Sequence, residues 1–500
     1  MKLSVLCESI KMFSCGMDPE IHGLTLDSRY AKAGDLFALC GVVGMAVETY
    51  LSEAIHKGVS AILYDSHALR LEGSLLKNDL PIIGVPQLRQ YLGSIADKFY
   101  AHPSHHMPVF GVTGTNGKSS ITQYISQALT YLHSPCAVLG TLGNGFLPHL
   151  EKTTHTTLNA FHLQALLAQY RDQGAQGAAI EVSSHGLDQG RVNGIQFDTA
   201  IFSNLTRDHL DYHHSMAAYG AAKEKLFTMP DLKHAIINYD DMFGRTLLTR
   251  LSPQVEGIAY SLDTKVGDDL RYPLISVQEA VYHETGFSAE IVTPKAVFSI
   301  ETSLFGDFNL SNILPVIALL QMKGYSTAAI QEAVGALTPV NGRMSLVSIA
   351  APFQIMIDYA HTPDALKQVL IAIKKHIGGR LWCIFGCGGN RDKGKRPEMG
   401  RIVETYADEW IITNDNPRDE PPQAIAEDIL SGMMRPDACT LILDRKEAIF
   451  FALSVAKAGD LVLIAGKGHE TEQEIAKQKY PFSDLETVET FFHPLHKEIK

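Results

Sequence analysis

Short runs of β-branched and aromatic residues alternate along the chain with stretches whose apolar positions recur every three or four residues. Val109-Phe110-Gly111-Val112, Ala178-Ala179-Ile180-Glu181-Val182, Ala200-Ile201-Phe202 and Ala235-Ile236-Ile237 have the length and apolar content of buried strands. After the first of them, Ile121, Ile125, Leu129 and Leu132 fall on one face of a helix. This alternation predicts βαβ units around a parallel sheet. Ile355-Met356-Ile357, Leu381-Trp382-Cys383-Ile384-Phe385, Trp410-Ile411-Ile412 and Leu461-Val462-Leu463-Ile464 repeat the style, and each leads into a polar or glycine-rich loop. In open α/β sheets ligands gather at the carboxyl ends of strands, so those loops are where chemistry is expected. From Pro273 to Leu304 the pattern alternates without a long helical stretch, which predicts a small antiparallel patch.

Two breaks interrupt the pattern. His102-Pro103-Ser104-His105-His106-Met107-Pro108 sets two prolines and polar residues before a fresh strand, and Thr338-Pro339-Val340-Asn341-Gly342 makes a second junction. They predict domains at 1–106, 107–338 and 339–500, and a chain of 500 residues that is 45% hydrophobic can bury more than one core. A formal charge of −12 argues against a nucleic-acid partner, because phosphate neutralisation needs a basic surface. No apolar run is long enough to cross a bilayer, and the opening Met1-Lys2-Leu3-Ser4-Val5-Leu6-Cys7-Glu8 meets an acid too early for a secretory signal. The expectation is a cytoplasmic protein without membrane insertion. Seven scattered cysteines make no disulfide framework, and Cys383 with Cys387 reads as packing rather than as a metal pair.

Gly111-Val112-Thr113-Gly114-Thr115-Asn116-Gly117-Lys118-Ser119-Ser120 lies between a predicted strand and a predicted helix. Glycines there let backbone N–H groups approach phosphate oxygens. The helix start adds partial positive charge, Lys118 can reach terminal phosphates and Ser119 can hold Mg²⁺. Val112 stands where the general pattern has its first glycine, so a nucleotide loop and an ordinary glycine-rich turn both remain open at this point. Glu181, in Glu181-Val182-Ser183-Ser184-His185-Gly186, closes another strand and suits a metal ligand or a capping residue. His209, in Asn204-Leu205-Thr206-Arg207-Asp208-His209-Leu210-Asp211-Tyr212-His213, is a ligand candidate or a hydrogen-bonded structural histidine, since Mg²⁺ favours oxygen donors.

These three motifs occur in the order and spacing of the Mur ligases, the amide-forming enzymes of peptidoglycan precursor synthesis, and the chain resembles that family along nearly its whole length. The resemblance continues through Phe308-Asn309-Leu310-Ser311-Asn312, Asn341-Gly342-Arg343-Met344, Asp358-Tyr359-Ala360-His361-Thr362-Pro363-Asp364, Phe385-Gly386-Cys387-Gly388-Gly389-Asn390-Arg391-Asp392-Lys393-Gly394-Lys395-Arg396-Pro397 and Asp415-Asn416-Pro417-Arg418. It implies an α/β fold in three domains, with a central P-loop-like parallel-sheet ATPase domain and a Rossmann-like C-terminal domain. It implies ATP and Mg²⁺, with Gly114, Thr115, Asn116, Gly117, Lys118, Ser119, Asn309, Asn312, Arg343 and Asp358 at the nucleotide. Ser119, Glu181, His209 and Lys223 would serve the metal, Lys223 through the carbamylated lysine that the family carries at this position. In the first domain Leu24-Thr25-Leu26-Asp27-Ser28-Arg29 resembles the family's uridine-nucleotide module, with Leu26 and Ser28 at its contacts. Thr156, Thr157, Ser183, Gln189 and Arg191 resemble further contacts to a UDP-N-acetylmuramoyl-dipeptide. The chain departs from the family at His155, often Asn, and at Gly44-Met45-Ala46-Val47-Glu48, where a D-G-H-like turn is common.

The resemblance also implies an amino-acid substrate, and meso-diaminopimelate differs from L-lysine by one carboxylate at the far end. An arginine fork pairs bidentately with that group and rejects an analogue lacking it. Arg418 follows a predicted strand within the tetrapeptide of the diaminopimelate-adding pattern, and Arg391, Gly466 and Glu470 resemble the other contacts, alongside Asp415, Asn416 and Pro417. The expected reaction activates a D-glutamate γ-carboxylate as an acyl phosphate and couples it to an amine, in a monomer. Rival readings are a lysine-adding homologue, a folylpolyglutamate synthase relative, and a nucleotide switch or UDP-sugar-binding regulator that forms no bond.

Overall fold

Strands form where the apolar runs predict them, in a computed structural model that describes residues 1–10, 17–41, 46–69, 80–265, 270–342 and 344–493. The chain divides into two compact units, Met1–Tyr260 with Arg271–Leu274, and Ser261–Leu270 with Ile275–Lys500. In the first unit β1 (Gly23–Thr25), β2 (Asp35–Leu39), β3 (Ala61–Asp65) and β4 (Ile82–Val85) make an all-parallel sheet in sequence order. The helix Leu92–Phe99 follows, and its Gly93 lies so close to Asn193 that a Cβ would sit 1.6 Å from the Asn193 carbonyl oxygen. Only glycine lets these backbones meet there.

The central sheet contains β5 (Val109–Thr113), β6 (Cys136–Gly140), β7 (Gly143–Phe146), β8 (His149–Glu151), β9 (Gly177–Glu181), β10 (Thr199–Phe202), β11 (His234–Asn238) and β12 (Glu256–Ser261). From β12 the order runs β11, β10, β5, β9, β6, β7, β8, parallel as far as β6 and antiparallel beyond it. Every residue of β5, β9 and β10 is buried, as a sheet covered on both faces requires. Because β5 lies between β10 and β9, the loops leaving these three strands emerge side by side at one carboxyl edge. The helix Lys118–Tyr131 buries Ile121, Ile125 and Leu129, the face predicted from their spacing.

In the second unit β13 (Leu274–His283), β14 (Gly286–Val292) and β15 (Val297–Thr302) form the antiparallel patch anticipated from alternation. A second sheet contains β16 (Ser345–Leu346), β17 (Gln354–Asp358), β18 (Leu381–Phe385), β19 (Glu409–Ile412), β20 (Thr440–Leu441) and β21 (Leu461–Ala465), in the order β16, β17, β21, β18, β19, β20. It is parallel except at β16. The hairpin β22 (Glu472–Ile475) and β23 (Gln478–Pro481) follows. Cys383 and Cys387 are buried in this unit, the Cys387 thiol is pushed up to about 12 by burial, and Sγ of Cys387 touches Sδ of Met399 at 3.5 Å, which fits packing. Among the described residues no helix is long and apolar enough to cross a membrane.

His376 ties the patch to the helix Pro363–Lys374 region within this unit. Its Nε2 accepts the Gly306 N–H at 3.0 Å and its Nδ1 donates to the His283 carbonyl at 2.8 Å, with 3% of the residue exposed. Burial lowers the imidazole pKa, and protonating Nε2 would set its N–H against the Gly306 N–H that it now accepts. The folded state therefore favours neutral His376. Its contribution is complete above the unfolded value of about 6.5 and is lost as pH falls below it. Melting temperature should fall more steeply in the wild type than in His376→Gln between about pH 7.5 and 5.5, a window chosen to span that value; equal slopes would show that His376 does not titrate on unfolding.

Candidate functional site

The loop after β5 is shaped by contact with the loop after β10. Gly114 has φ +152°, and a Cβ there would lie 1.9 Å from Ser203 Oγ and 3.1 Å from the Asn204 nitrogen. The Thr115 N–H donates to the Asn204 carbonyl at 2.8 Å and the Asn116 N–H to Asn204 Oδ1 at 2.9 Å. Gly117, at φ +87°, turns the chain into the helix Lys118–Tyr131, whose first turn has no side-chain cap. Those N–H groups suit an anion. Lys118 curls over the loop, with Nζ donating to the carbonyls of Gly114 at 3.0 Å and Thr115 at 2.8 Å.

Ser119 Oγ donates to Glu181 Oε2 at 2.9 Å, joining the helix start to the end of β9. Thr141 donates its N–H to Glu181 Oε1 at 2.9 Å and its hydroxyl to Thr156 Oγ1 at 3.1 Å. Thr157 Oγ1 donates to the Glu181 carbonyl at 2.8 Å and accepts the Ser183 N–H at 2.9 Å. Arg191 Nη1 donates to the Thr157 carbonyl at 2.7 Å, and its Nη2 to Gln189 Oε1 at 2.7 Å. The structure thus brings Ser119, Thr156, Thr157, Glu181, Ser183, Gln189 and Arg191 into one chain of contacts, next to which Lys118 stands as the neighbour of Ser119.

Lys223 enters from the helix Met216–Glu224. It is 1% exposed, its Nζ donates to the Gly114 carbonyl at 2.7 Å, and it stands 4.4 Å from the Tyr219 ring centroid. Burial, then the charge of Lys118, pushes its pKa well below the ordinary lysine value, while Asp208 opposes the shift. His209 sits at φ 53° with Nε2 3.4 Å from Asp208 Oδ2. Its ring is 4.9 Å from that of His185, and burial lowers both imidazoles. Oxygen donors suit Mg²⁺. Ser119 and Glu181 supply them directly; Lys223 supplies one only as a carbamate.

Other predicted residues are placed elsewhere. Ser28 is buried after β1, donating its hydroxyl to Glu53 Oε2 at 2.7 Å, with Leu26 half-buried nearby in sequence. Asn309 and Asn312 are buried on the helix Asp307–Met322, and Asn309 Nδ2 donates to the Phe305 carbonyl at 2.9 Å. Asp358 ends β17 and accepts the N–H groups of Met344 and Ala360, each at 2.7 Å. Arg343 lies outside the described residues, as do Gly44 and Met45.

The loops after β18, β19 and β21 form a second polar cluster. Arg418, at φ 50°, donates Nε to Glu474 Oε2 at 3.0 Å and Nη1 to the Gly389 carbonyl at 2.9 Å. A Cβ on Gly388 would lie 2.9 Å from Arg418 Nη1 and 3.6 Å from Arg391 Cγ, so both arginines border the same glycine turn. Asn416 Nδ2 donates to Glu470 Oε2 at 2.9 Å. Gly466, at φ +113°, passes Asp415, whose Oδ2 would be 2.6 Å from an added Cβ. Pro417 stands between Asn416 and Arg418, and its carbonyl accepts the Glu420 N–H at 3.1 Å. Burial raises the Glu470 pKa, but its contacts with Lys467 and Asn416 outweigh this and lower it.

Several residues join these clusters without having stood out in the sequence. Lys467 is fully buried and donates to Glu470 Oε2 at 2.7 Å, Asn416 Oδ1 at 3.1 Å and the Glu472 carbonyl at 2.8 Å. Its position between two glycines, Gly466-Lys467-Gly468, was the available signal. Thr141 carried none, and His185 and Tyr212 stood inside the motifs after β9 and β10 without being singled out.

Residues 112–320 match the family description "Mur ligase middle domain" and residues 342–468 match "Mur ligase, glutamate ligase domain". The chain is 45% identical over 473 residues to the UDP-N-acetylmuramoyl-L-alanyl-D-glutamate–2,6-diaminopimelate ligase of Xanthomonas campestris pv. campestris (strain 8004), covering 93% of each. It is 43% identical over 469 residues to the enzyme of that name from Coxiella burnetii (strain RSA 493 / Nine Mile phase I), covering 94% of this chain and 95% of that one. A solved structure of a UDP-N-acetylmuramoyl-L-alanyl-D-glutamate–2,6-diaminopimelate ligase aligns with a TM-score of 0.72 at 34% identity, over 99% of this chain and 100% of the other. With likeness of this extent in sequence and fold, the chain belongs to the Mur ligase family.

Proposed function

We propose that this protein joins meso-2,6-diaminopimelate to the D-glutamate γ-carboxylate of UDP-N-acetylmuramoyl-L-Ala-D-Glu, using ATP, in peptidoglycan precursor synthesis. The observation that carries the reading is the glycine loop of 114–117, with Lys118 folded over it and the Ser119–Glu181 pair beside it. The likeness to ligases of that name supports the substrates. Gly114, Thr115, Asn116, Gly117 and Lys118 receive the ATP phosphates. Asn309, Asn312, Arg343 and Asp358 serve the rest of the nucleotide. Ser119, Glu181, His209 and carbamylated Lys223 serve Mg²⁺, which when bound offsets charge on the transferring phosphoryl group.

An oxygen of the γ-carboxylate attacks the γ-phosphorus and ADP departs, leaving an acyl phosphate on the substrate. Lys118 balances charge on that group. The diaminopimelate amine then attacks the acyl carbon, loses a proton, and inorganic phosphate leaves. The protein's part is positioning and electrostatics. Leu26 and Ser28 are assigned to the uridine end, and Thr156, Thr157, Ser183, Gln189 and Arg191 to the sugar and peptide. Arg391, Asp415, Asn416, Pro417, Arg418, Gly466 and Glu470 hold the amino acid. Domains at 1–106, 107–338 and 339–500, a cytoplasmic location and a monomeric state belong to the same reading.

An oxygen-18 label in the γ-carboxylate tests the chemistry. Acyl-phosphate formation transfers one labelled oxygen to the released phosphate, as mass spectrometry would register. Unlabelled phosphate accompanying ligated product would exclude this route.

A further inference from the structure

The corner between the first sheet and β5 gathers ligating side chains that the proposed reaction does not use. Asp97, on the helix Leu92–Phe99, is 8% exposed, with Oδ2 2.6 Å from His102 Nδ1. Its Oδ1 is shielded from solvent and has no hydrogen-bond partner among the described residues. A shielded carboxylate oxygen left unpaired is costly. The rings of His102 and His105 are 5.1 Å apart, and one ligand atom from each of Asp97, His102 and His105 lies within 4.8 Å of the others.

The backbone holds this arrangement from both sides. Ala101 and His102 take φ 57° and 51°, and Pro103 opens the short helix Pro103–His106. The His102 N–H donates to the Asp97 carbonyl at 2.8 Å and the His105 N–H to the His102 carbonyl at 3.0 Å. Arg171 Nη1 grips the carbonyls of Tyr100 and Ala101, each at 3.2 Å, while Ser104 Oγ accepts the Gln196 N–H at 3.0 Å.

We propose that Asp97, His102 and His105 form a binding site for a zinc-class divalent cation that fastens the end of the helix Leu92–Phe99 to the segment entering β5. Two imidazole nitrogens and one carboxylate oxygen match borderline cations, whereas Mg²⁺ and Ca²⁺ favour oxygen alone. Tetrahedral ligation at about 2.0–2.1 Å separates donor atoms by about 3.3 Å. The Asp97–His102 contact therefore opens slightly and His105, which is exposed, closes in. Because His102 and His105 are exposed, the fourth position would fall to water.

The test is a titration of full-length, chelator-stripped protein with Zn²⁺ alone by calorimetry, repeated with excess Mg²⁺. Wild type, His105→Ala and His102→Ala are compared, and melting curves are recorded with and without Zn²⁺. The expected result is one site that Mg²⁺ does not displace, with affinity lowered at least about tenfold in each variant, the minimum for losing even an outer-shell partner. The Zn²⁺-dependent rise in melting temperature should disappear in His105→Ala, which without metal should melt as the stripped wild type does. X-ray absorption of the wild-type complex should show mixed nitrogen and oxygen ligation without sulfur. Absence of Zn²⁺ binding by the wild type, or undiminished binding by both variants, would overturn the assignment.

Discussion

Lys223→Arg is expected to lower kcat by on the order of 10³-fold, the scale seen when a group that stabilises transition-state charge is removed. Lys223 is nearly inaccessible and has no carboxylate within ion-pair range among the described residues. It shares the Gly114 carbonyl with Lys118, another cation. A buried ammonium so placed is disfavoured, and burial with the Lys118 charge drives the group toward the neutral amine. A neutral amine adds to the carbon of CO₂ and sheds a proton, giving a carbamate with the charge and oxygens of a carboxylate. Arginine stays protonated and cannot follow. Carbon-13 NMR of protein equilibrated with labelled bicarbonate should show a carbamate signal in the wild type that is absent in Lys223→Arg. An arginine variant within tenfold of wild-type activity would remove the carbamate from the mechanism.

Arg418→Lys should lower kcat/KM for meso-diaminopimelate by about 3–4 kcal/mol, on the order of 10²- to 10³-fold, as truncating one partner of a desolvated charge pair does. The KM for ATP should stay unchanged. Backbone bonds fix the starting point of this side chain: its N–H donates to the Glu474 carbonyl at 3.0 Å and its carbonyl accepts the Ala476 N–H at 2.7 Å. Glu474 and the Gly389 carbonyl hold Nε and Nη1, which orients the plane of the fork. Lysine keeps the charge but not two parallel donors. Steady-state kinetics with both amino acids would check this, and an unaltered preference for diaminopimelate would remove Arg418 from substrate selection.

What the chain revealed in advance follows from how local each signal is. The strands around β5, β9 and β10 were legible because a doubly covered sheet demands continuous apolar runs, and the loops after them inherit their neighbourhood from strand order. Gly114 and Gly117 could be read directly, since both take backbone conformations that favour glycine. Lys223 could not be recognised from its surroundings in sequence. A lysine in an Ala-rich helix looks solvated until tertiary packing buries it beneath the loop more than 100 residues earlier. Lys467 was hidden for the same reason, because its three acceptors come together only when the loops after β19 and β21 meet. Of the two residues proposed for the uridine end, Ser28 already donates its hydroxyl to Glu53.

The proposed activity is amide ligation selective for a diaminopimelate carboxylate. Its most direct test is phosphate release from ATP by the purified protein given UDP-N-acetylmuramoyl-L-Ala-D-Glu and either meso-diaminopimelate or L-lysine, with product masses determined. Phosphate and a ligated product should form with diaminopimelate, and neither with lysine. Equal or better turnover of lysine would contradict the specificity, and folded protein yielding no product with either amino acid would contradict the ligase assignment itself.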